Sequence, residues 1–247
     1  MARIDPTLHR RGLDRISRRL FLRGTLSIGA LSLLTGCNLE DDDMVDRALS
    51  AMSRWNDKVR AALFSGARLA PTYGEADIID PFPFNAYYPV NEVRQIDGTA
   101  WRLEVAGLVS ERRSWTLADL AALPQMDQIT RHICIEGWSA IGKWGGVPFR
   151  DFLAHIGADT RARYVAFRCA DDYRSSLDMA TALHGQTLLA LTFRDHPLPA
   201  AYGFPVKLRV PTKLGFKNPK HIVAIEVTNV YPGGFWEDYG YNWFSGI

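Results

Sequence analysis

From Trp101 to Thr228 the chain is cut by Gly and Pro into short apolar runs, and this punctuation limits what it can fold into. Runs of this length suit strands better than helices. Trp101-Arg102-Leu103-Glu104-Val105 alternates as a half-buried strand does, and Gly107 stops it. Tyr164 to Cys169, Thr187 to Phe193, Val206 to Val210 and Ile222 to Thr228 read as further strands. Three short helices fall between them. Leu117 to Leu123 is capped by Thr116 and ended by Pro124, Pro148 to Ile156 has Pro at its first turn and Gly157 just past its end, and Leu177 to His184 is the third. Upstream, Met44 to about Leu69 is helical by pattern: Val45, Ala48, Leu49, Met52, Trp55, Val59, Ala62 and Leu63 share one face, which predicts a helix packed on the body. Strands outweigh helices past residue 100, and there is no internal repeat. The aromatic end, Gly233 to Phe244, is expected to fold back over the body.

A chain of 247 residues, 47% hydrophobic, can bury a full core. Its net charge of +2 is uneven, because Arg3, Arg10, Arg11, Arg15, Arg18, Arg19 and Arg23 face only Asp5 and Asp14 in the first 36 residues. The remaining body is slightly acidic, which excludes a nucleic-acid or other polyanion binder. The basic start reads as a targeting segment. Ser17-Arg18-Arg19-Leu20-Phe21-Leu22-Arg23 resembles a twin-arginine export signal, and the run from Gly24 to Gly36 is too short to span a bilayer. Leu34-Thr35-Gly36-Cys37 resembles a lipobox, which makes Cys37 a candidate lipid anchor. The expected organisation is a signal over 1–36, an acidic tether, helix and connector over 37–79, and a catalytic domain over 80–247. The expected location is the periplasm, reached by the twin-arginine route. Cys134 and Cys169 are then the remaining cysteines, and a disulfide between them stays open.

Arg131-His132-Ile133-Cys134-Ile135-Glu136-Gly137-Trp138-Ser139 is the stretch with most chemical content. As a strand it sets His132 and Cys134 on the face opposite Ile129, Arg131, Ile133 and Ile135. An isolated Cys is more often packing than chemistry. There is no Cys-x-x-Cys, no haem-attachment motif and no His-Glu-x-x-His. Gly137 to Ile141 misses a nucleophile elbow, and Gly142 to Gly146 lacks dinucleotide spacing. Further on, Lys207, Arg209, Lys213, Lys217 and Lys220 lie among Gly and Pro. They suit either a phosphate pocket or a solvated charge run.

Together, Arg131-His132-x-Cys134-x-Glu136-x-Trp138-Ser139, Leu198-Pro199-x-x-x-Gly203-x-Pro205-Val206, Val210-Pro211 and Lys213-x-Gly215-Phe216-Lys217-x-x-Lys220 resemble the molybdopterin-binding domain of the sulfite oxidase superfamily. The nearest branch is that of the bacterial periplasmic methionine-sulfoxide reductase catalytic subunits. The resemblance covers roughly residues 80 to 230. It implies an α+β fold: a single mixed α/β domain, strand-rich with short helices. It also implies a molybdopterin (Mo-pyranopterin) whose molybdenum takes Cys134 as its thiolate ligand and catalytic residue. Asn85, Tyr88, Gly215, Phe216 and Lys217 match cofactor contacts, the last three in the phosphate loop. Lys207 stands where relatives have Arg, Tyr202 where they have Asn or His, and Cys169 where the reductase has Thr. The family's sulfite-handling groups are replaced by Phe84-Asn85-Ala86 and Leu191, which disfavours sulfite oxidation.

The resemblance therefore implies an exported, molybdenum-dependent oxidoreductase that performs two-electron oxygen-atom transfer on a small-molecule S-oxide or related substrate. Without a haem or flavin motif, its electrons come from a separate partner, such as a membrane cytochrome b. Sulfite-oxidase-like oxidation, a thiol hydrolase using Cys134 and a cofactor-free binding lipoprotein are the competing readings.

Overall fold

The computed structural model of this protein describes residues 42–64 and 66–247. The paired arginines, the apolar run after them and Cys37 lie outside the described residues, with the expectations that rest on them. The chain divides into two units, Met1–Met52 and Ser53–Ile247.

Two five-stranded sheets make the body. In the first, β1 (Leu103–Gly107) lies between β2 (Ser114–Trp115) and β10 (Ile222–Thr228), and β10 continues to β5 (Tyr164–Cys169) and β6 (Arg174–Asp178). The β1 and β10 pair is parallel, with Glu104 opposite Ala224 and Gly107 opposite Val227. A Cβ at residue 107 would come 2.0 Å from the Val227 carbonyl oxygen, so this close approach requires glycine. The second sheet runs β3 (Met126–Ile133), β4 (Ser139–Pro148), β7 (Leu188–Phe193) and β8 (His196–Pro197), with β9 (Lys207–Arg209) paired to β7. This is a mixed α+β domain with short helices, as the resemblance implies.

Apolar side chains of both sheets meet in one core. Leu103, Val105, Val165, Phe167, Ile225 and Val227 come from the first sheet; Val147, Leu189 and Leu208 come from the second. Phe149, Phe152 and Leu153 of α3 (Phe149–His155) fill the same core. A second cluster, Phe82, Trp144, Leu188, Phe193 and Leu198, also builds on the second sheet. The segment from Val210 to His221 crosses from β9 in one sheet to β10 in the other, and it carries the loop lysines.

Three expectations need correction. Cys134 is not inside a strand: β3 ends at Ile133, and Cys134 opens the turn to β4. β4 itself was not legible, because Gly142, Gly145 and Gly146 break its apolar pattern, and β6 takes Leu177 from the expected third helix. Among the described residues of α1 (Asp42–Leu63) from Ser53 on, the apolar stripe is not fully buried, since Trp55 and Leu63 are 66% and 79% exposed. Among its described side chains, polar ones face the body: Asp57 accepts a hydrogen bond from the Phe244 backbone N–H, and Asn242 donates to Ser53. The side chains of Val45, Ala48 and Leu49 lie outside the described residues. The helix capped by Thr116, α2 (Leu117–Ala121), forms with a reciprocal Thr116–Asp119 capping box. α4 (Met179–Ala182) is capped by Asp178. The aromatic end folds back as α5 (Phe235–Asp238) and a tail beyond it.

Candidate active site

β3, with the turn residue Cys134 just past its end, is amphipathic in the reverse of the usual sense. Gln128, Thr130, His132 and Cys134 point inward, whereas Ile129 and Ile133 are half-buried and Ile135 is exposed. Burying polar groups costs free energy unless they find partners, so a strand that turns its polar face inward marks a site. After β3 the chain makes a tight turn. The Cys134 N–H donates to the Trp138 carbonyl at 2.9 Å and the Gly137 N–H to the Cys134 carbonyl at 3.2 Å, with Gly137 in the left-handed region. This turn leaves the thiol 8% exposed, at the wall of a cleft of about 90 Å³.

Asn85, Tyr87, Cys134, Glu136, Asp171, Gly215, Phe216, Lys220 and Trp236 line that cleft, drawn from five separate segments. Glu136 Oε2 accepts from Trp138 Nε1 at 2.9 Å and lies 3.6 Å from Cys134 Sγ. Burial, and then the Glu136 carboxylate, push the Cys134 thiol up. An unaided thiol here is a poor nucleophile. Opposite, His132 is fully buried beneath Gly215, whose missing side chain is required: a Cβ would sit 2.6 Å from His132 Nε2. Burial, with Arg209, Lys207 and Lys220 nearby, holds the imidazole neutral.

The polar floor is organised by Asn218, which the sequence reading passed over. Its Oδ1 accepts from Arg209 Nη1 at 2.9 Å and from the Val210 N–H at 2.7 Å. Its Nδ2 donates to the Leu214 carbonyl at 3.1 Å, and its own carbonyl accepts from Lys207 Nζ at 3.2 Å. Arg209 reaches on to the Arg131 carbonyl at 2.6 Å, which ties the cation segment to the Cys134 strand. Asp171, in the turn between β5 and β6, is the second residue missed. It accepts from Tyr88 Oη at 2.8 Å through its carboxylate and from Tyr87 Oη through its carbonyl. Desolvation lowers Lys207 far below the usual lysine value, Lys220 to about 8 and Arg209 to about 9.

Of the expected residues, the cleft wall brings together Asn85, Cys134, Gly215 and Phe216. Tyr88 and Lys207 stand behind it, through Asp171 and Asn218. Lys217 turns away and pairs with Glu237. Tyr202 donates to the Phe82 carbonyl at 2.7 Å within the second aromatic cluster. Cys169 is buried in the main core, and both it and Cys134 are free thiols, so the open disulfide does not form.

Around this cleft the basic side chains Lys207, Arg209 and Lys220 are buried, with Asp171 and Glu136 as the carboxylates in the lining, and because burial disfavours their charged forms they call for an anion. A cysteine at one wall, a buried cation group at another and a glycine-containing turn between them suit a phosphorylated, thiolate-ligated cofactor. The fold and cleft therefore define a cofactor-binding oxidoreductase domain. Residues 90–236 match the family model of the oxidoreductase molybdopterin binding domain, and the chain belongs to that family, within the sulfite oxidase superfamily. It is 62% identical over 230 residues to a protein of Azospira oryzae named, provisionally, as a protein-methionine-sulfoxide reductase subunit, YedZ1; the match covers 93% of this chain and 88% of that one. It is 32% identical over 178 residues to the protein-methionine-sulfoxide reductase catalytic subunit MsrP of Xanthomonas campestris, covering 64% of this chain and 55% of that one. The chain thus spans about half the length of the MsrP relative. Among solved structures, the sulfane dehydrogenase SoxCD of Paracoccus pantotrophus shares the fold with a TM-score of 0.53 at 19% identity, over 56% of this chain and 40% of that one. The protein is a molybdopterin-binding oxidoreductase.

Proposed function

We propose that this enzyme is an exported, molybdenum-dependent reductase of S-oxides, acting on methionine sulfoxide as its relatives' names state of them. The observation that carries this is the Cys134 thiol in a cleft that Lys220 also lines, with Lys207 and Arg209 buried behind it. When bound, the molybdopterin group would supply two-electron oxygen-atom transfer. The chain's own residues do the rest. Cys134 presents the thiolate ligand. Lys220, with Lys207 and Arg209 behind it, holds the anionic end of the cofactor. Gly215 and Phe216 form the turn beside it, and Tyr87, Phe216 and Trp236 offer an aromatic wall for a thioether. Glu136 Oε2, beside the sulfur, is the carboxylate placed to hold a proton for the departing oxygen. Overall, sulfoxide, two protons and two electrons give thioether and water. The electrons come from a separate partner, taken to be a membrane haem subunit. Export by the twin-arginine route and lipid attachment at Cys37 belong to the same proposal.

A thiol hydrolase is disfavoured by the thiol, which burial and the adjacent Glu136 carboxylate push up, away from the thiolate form that a nucleophile needs. The test is metal and pterin analysis of the protein exported through its own signal, followed by assay with free and peptide-bound methionine sulfoxide. About one molybdenum and one pterin per chain are expected, with sulfoxide turnover lowered at least ~100-fold in Cys134→Ser. Full turnover in that variant, or protein without molybdenum, would overturn the reading.

A further inference from the structure

The family model ends at residue 236, yet the residues past it are built into the back of the cofactor loop. α5 gives two neighbours different tasks. Trp236 lines the Cys134 cleft, while Glu237 turns beneath the loop and pairs with Lys217, both side chains being 1% exposed. Beyond α5 the chain runs alongside the same segment. The Leu214 N–H donates to the Ser245 carbonyl at 3.0 Å and the Ile247 N–H to the Thr212 carbonyl at 3.1 Å, with Lys213 opposite Gly246 in a β-bridge. Phe244 lies against the Lys213 ammonium, 2.9 Å from ring centroid to Nζ, and Trp243 faces the Lys217 ammonium at 5.4 Å. The tail is fastened in turn: Trp243 Nε1 donates to Ser176 Oγ at 2.8 Å, and the Phe244 N–H to Asp57. Residues 212–217 therefore have two sides, with Gly215 and Phe216 toward the cleft and Lys213 and Lys217 toward the tail.

This arrangement changes the part assigned to Lys217. Its ammonium is spent on Glu237, and the cation that lines the cleft is Lys220. On the reading that the cleft holds molybdopterin, we propose that residues 237–247 are a clasp for the cofactor loop. Glu237 is a positioning residue that acts through Lys217 to hold the Gly215-Phe216 turn closed on the bound group.

A buried ion pair that loses one partner leaves a stranded charge, whereas a matched apolar pair is often tolerated. That asymmetry gives the test. Wild type, Glu237→Gln, Lys217→Met and the double variant Lys217→Met/Glu237→Met are purified loaded. Pterin release is followed by fluorescence, and tail exposure by limited proteolysis between residues 236 and 247. Each single variant is expected to release pterin at least about tenfold faster than wild type and to expose its tail, and the double variant to release within about threefold of wild type. If the single variants fail to fold, retention in the double variant is still expected. Release from the double variant as fast as from Lys217→Met would show that Lys217 itself holds the anion and would overturn the clasp. So would wild-type retention in Glu237→Gln. Wild-type protein that contains no pterin would overturn both this inference and the cofactor reading beneath it. Pterin-loaded wild type with indifferent variants would overturn this one alone.

Discussion

At the scale of single residues, Asn218 carries more of the site's geometry than any residue that touches the cleft from the front. It satisfies Arg209, the Val210 N–H and the Lys207 ammonium at once, inside a region nearly free of solvent. Asn218→Leu strands the Arg209 and Val210 donors, while Lys207 keeps the backbone carbonyl, and a buried donor left unpaired costs about 1–3 kcal/mol. The expected loss is about 3 kcal/mol in urea unfolding; a change below ~1 kcal/mol would mean that the donors find water instead. Cys134 and His132 could be read from the sequence because period-two alternation placed them on one face whatever their exact distance from the strand end. Gly215 and Phe216 were reached through the family resemblance. Asp171 and Asn218 had no such signal: one is an Asp in a hairpin turn, the other an Asn between lysines, and each is ordinary until folding brings Tyr88 or Arg209 to it. Lys217 and Lys220 look alike in sequence and differ only because Glu237, a surface residue by composition, is buried beside one of them.

Among the elements, β4 and α1 separate from their sequence patterns for opposite reasons. β4 hides its strand character behind glycines that the sheet itself needs. A Cβ at Gly146 would stand 2.0 Å from the Leu189 carbonyl oxygen and one at Gly145 2.2 Å from Asp127 Oδ1, where the β4–β7 register shifts. α1 shows an apolar stripe, and the pattern alone does not say whether it faces inward. In the structure Trp55 and Leu63 face out, while Ser53 and Asp57 meet the tail. Trp55→Glu should therefore leave the unfolding midpoint unchanged to within about 0.5 kcal/mol, as for an exposed substitution. A loss of ~3 kcal/mol would place the ring in a core. The short strands Tyr164–Cys169 and Ile222–Thr228, by contrast, were read to the residue, because each is bounded by turn residues and buries alternate apolar side chains.

For the molecule as a whole, buried cations set the response to pH. Burial holds Lys213 at about 7, Lys220 at about 8 and Arg209 at about 9 in the folded, cofactor-free protein, all below their unfolded values. Between the folded and unfolded pKa the unfolded chain binds more protons, so stability rises with pH. The cofactor-free protein should accordingly unfold at higher urea at pH 9 than at pH 7. A bound anion restores the charge on Lys220 and Arg209 on the cleft side, though not on Lys213, which faces the tail, so the loaded protein should show a flatter profile. A midpoint that falls over this range without cofactor would contradict the assignment. The parallel pairing of β1 with β10 has a further effect, on timing during synthesis. Glu104 waits for Ala224, and the cleft draws on Asn85 at one extreme and Trp236 at the other. A nascent fragment that stops short of Trp236 lacks the completed cleft, which forms only after that residue has emerged from the ribosome. Loading then follows synthesis of the whole stretch from Asn85 to Trp236, the order that the proposed export of folded protein requires.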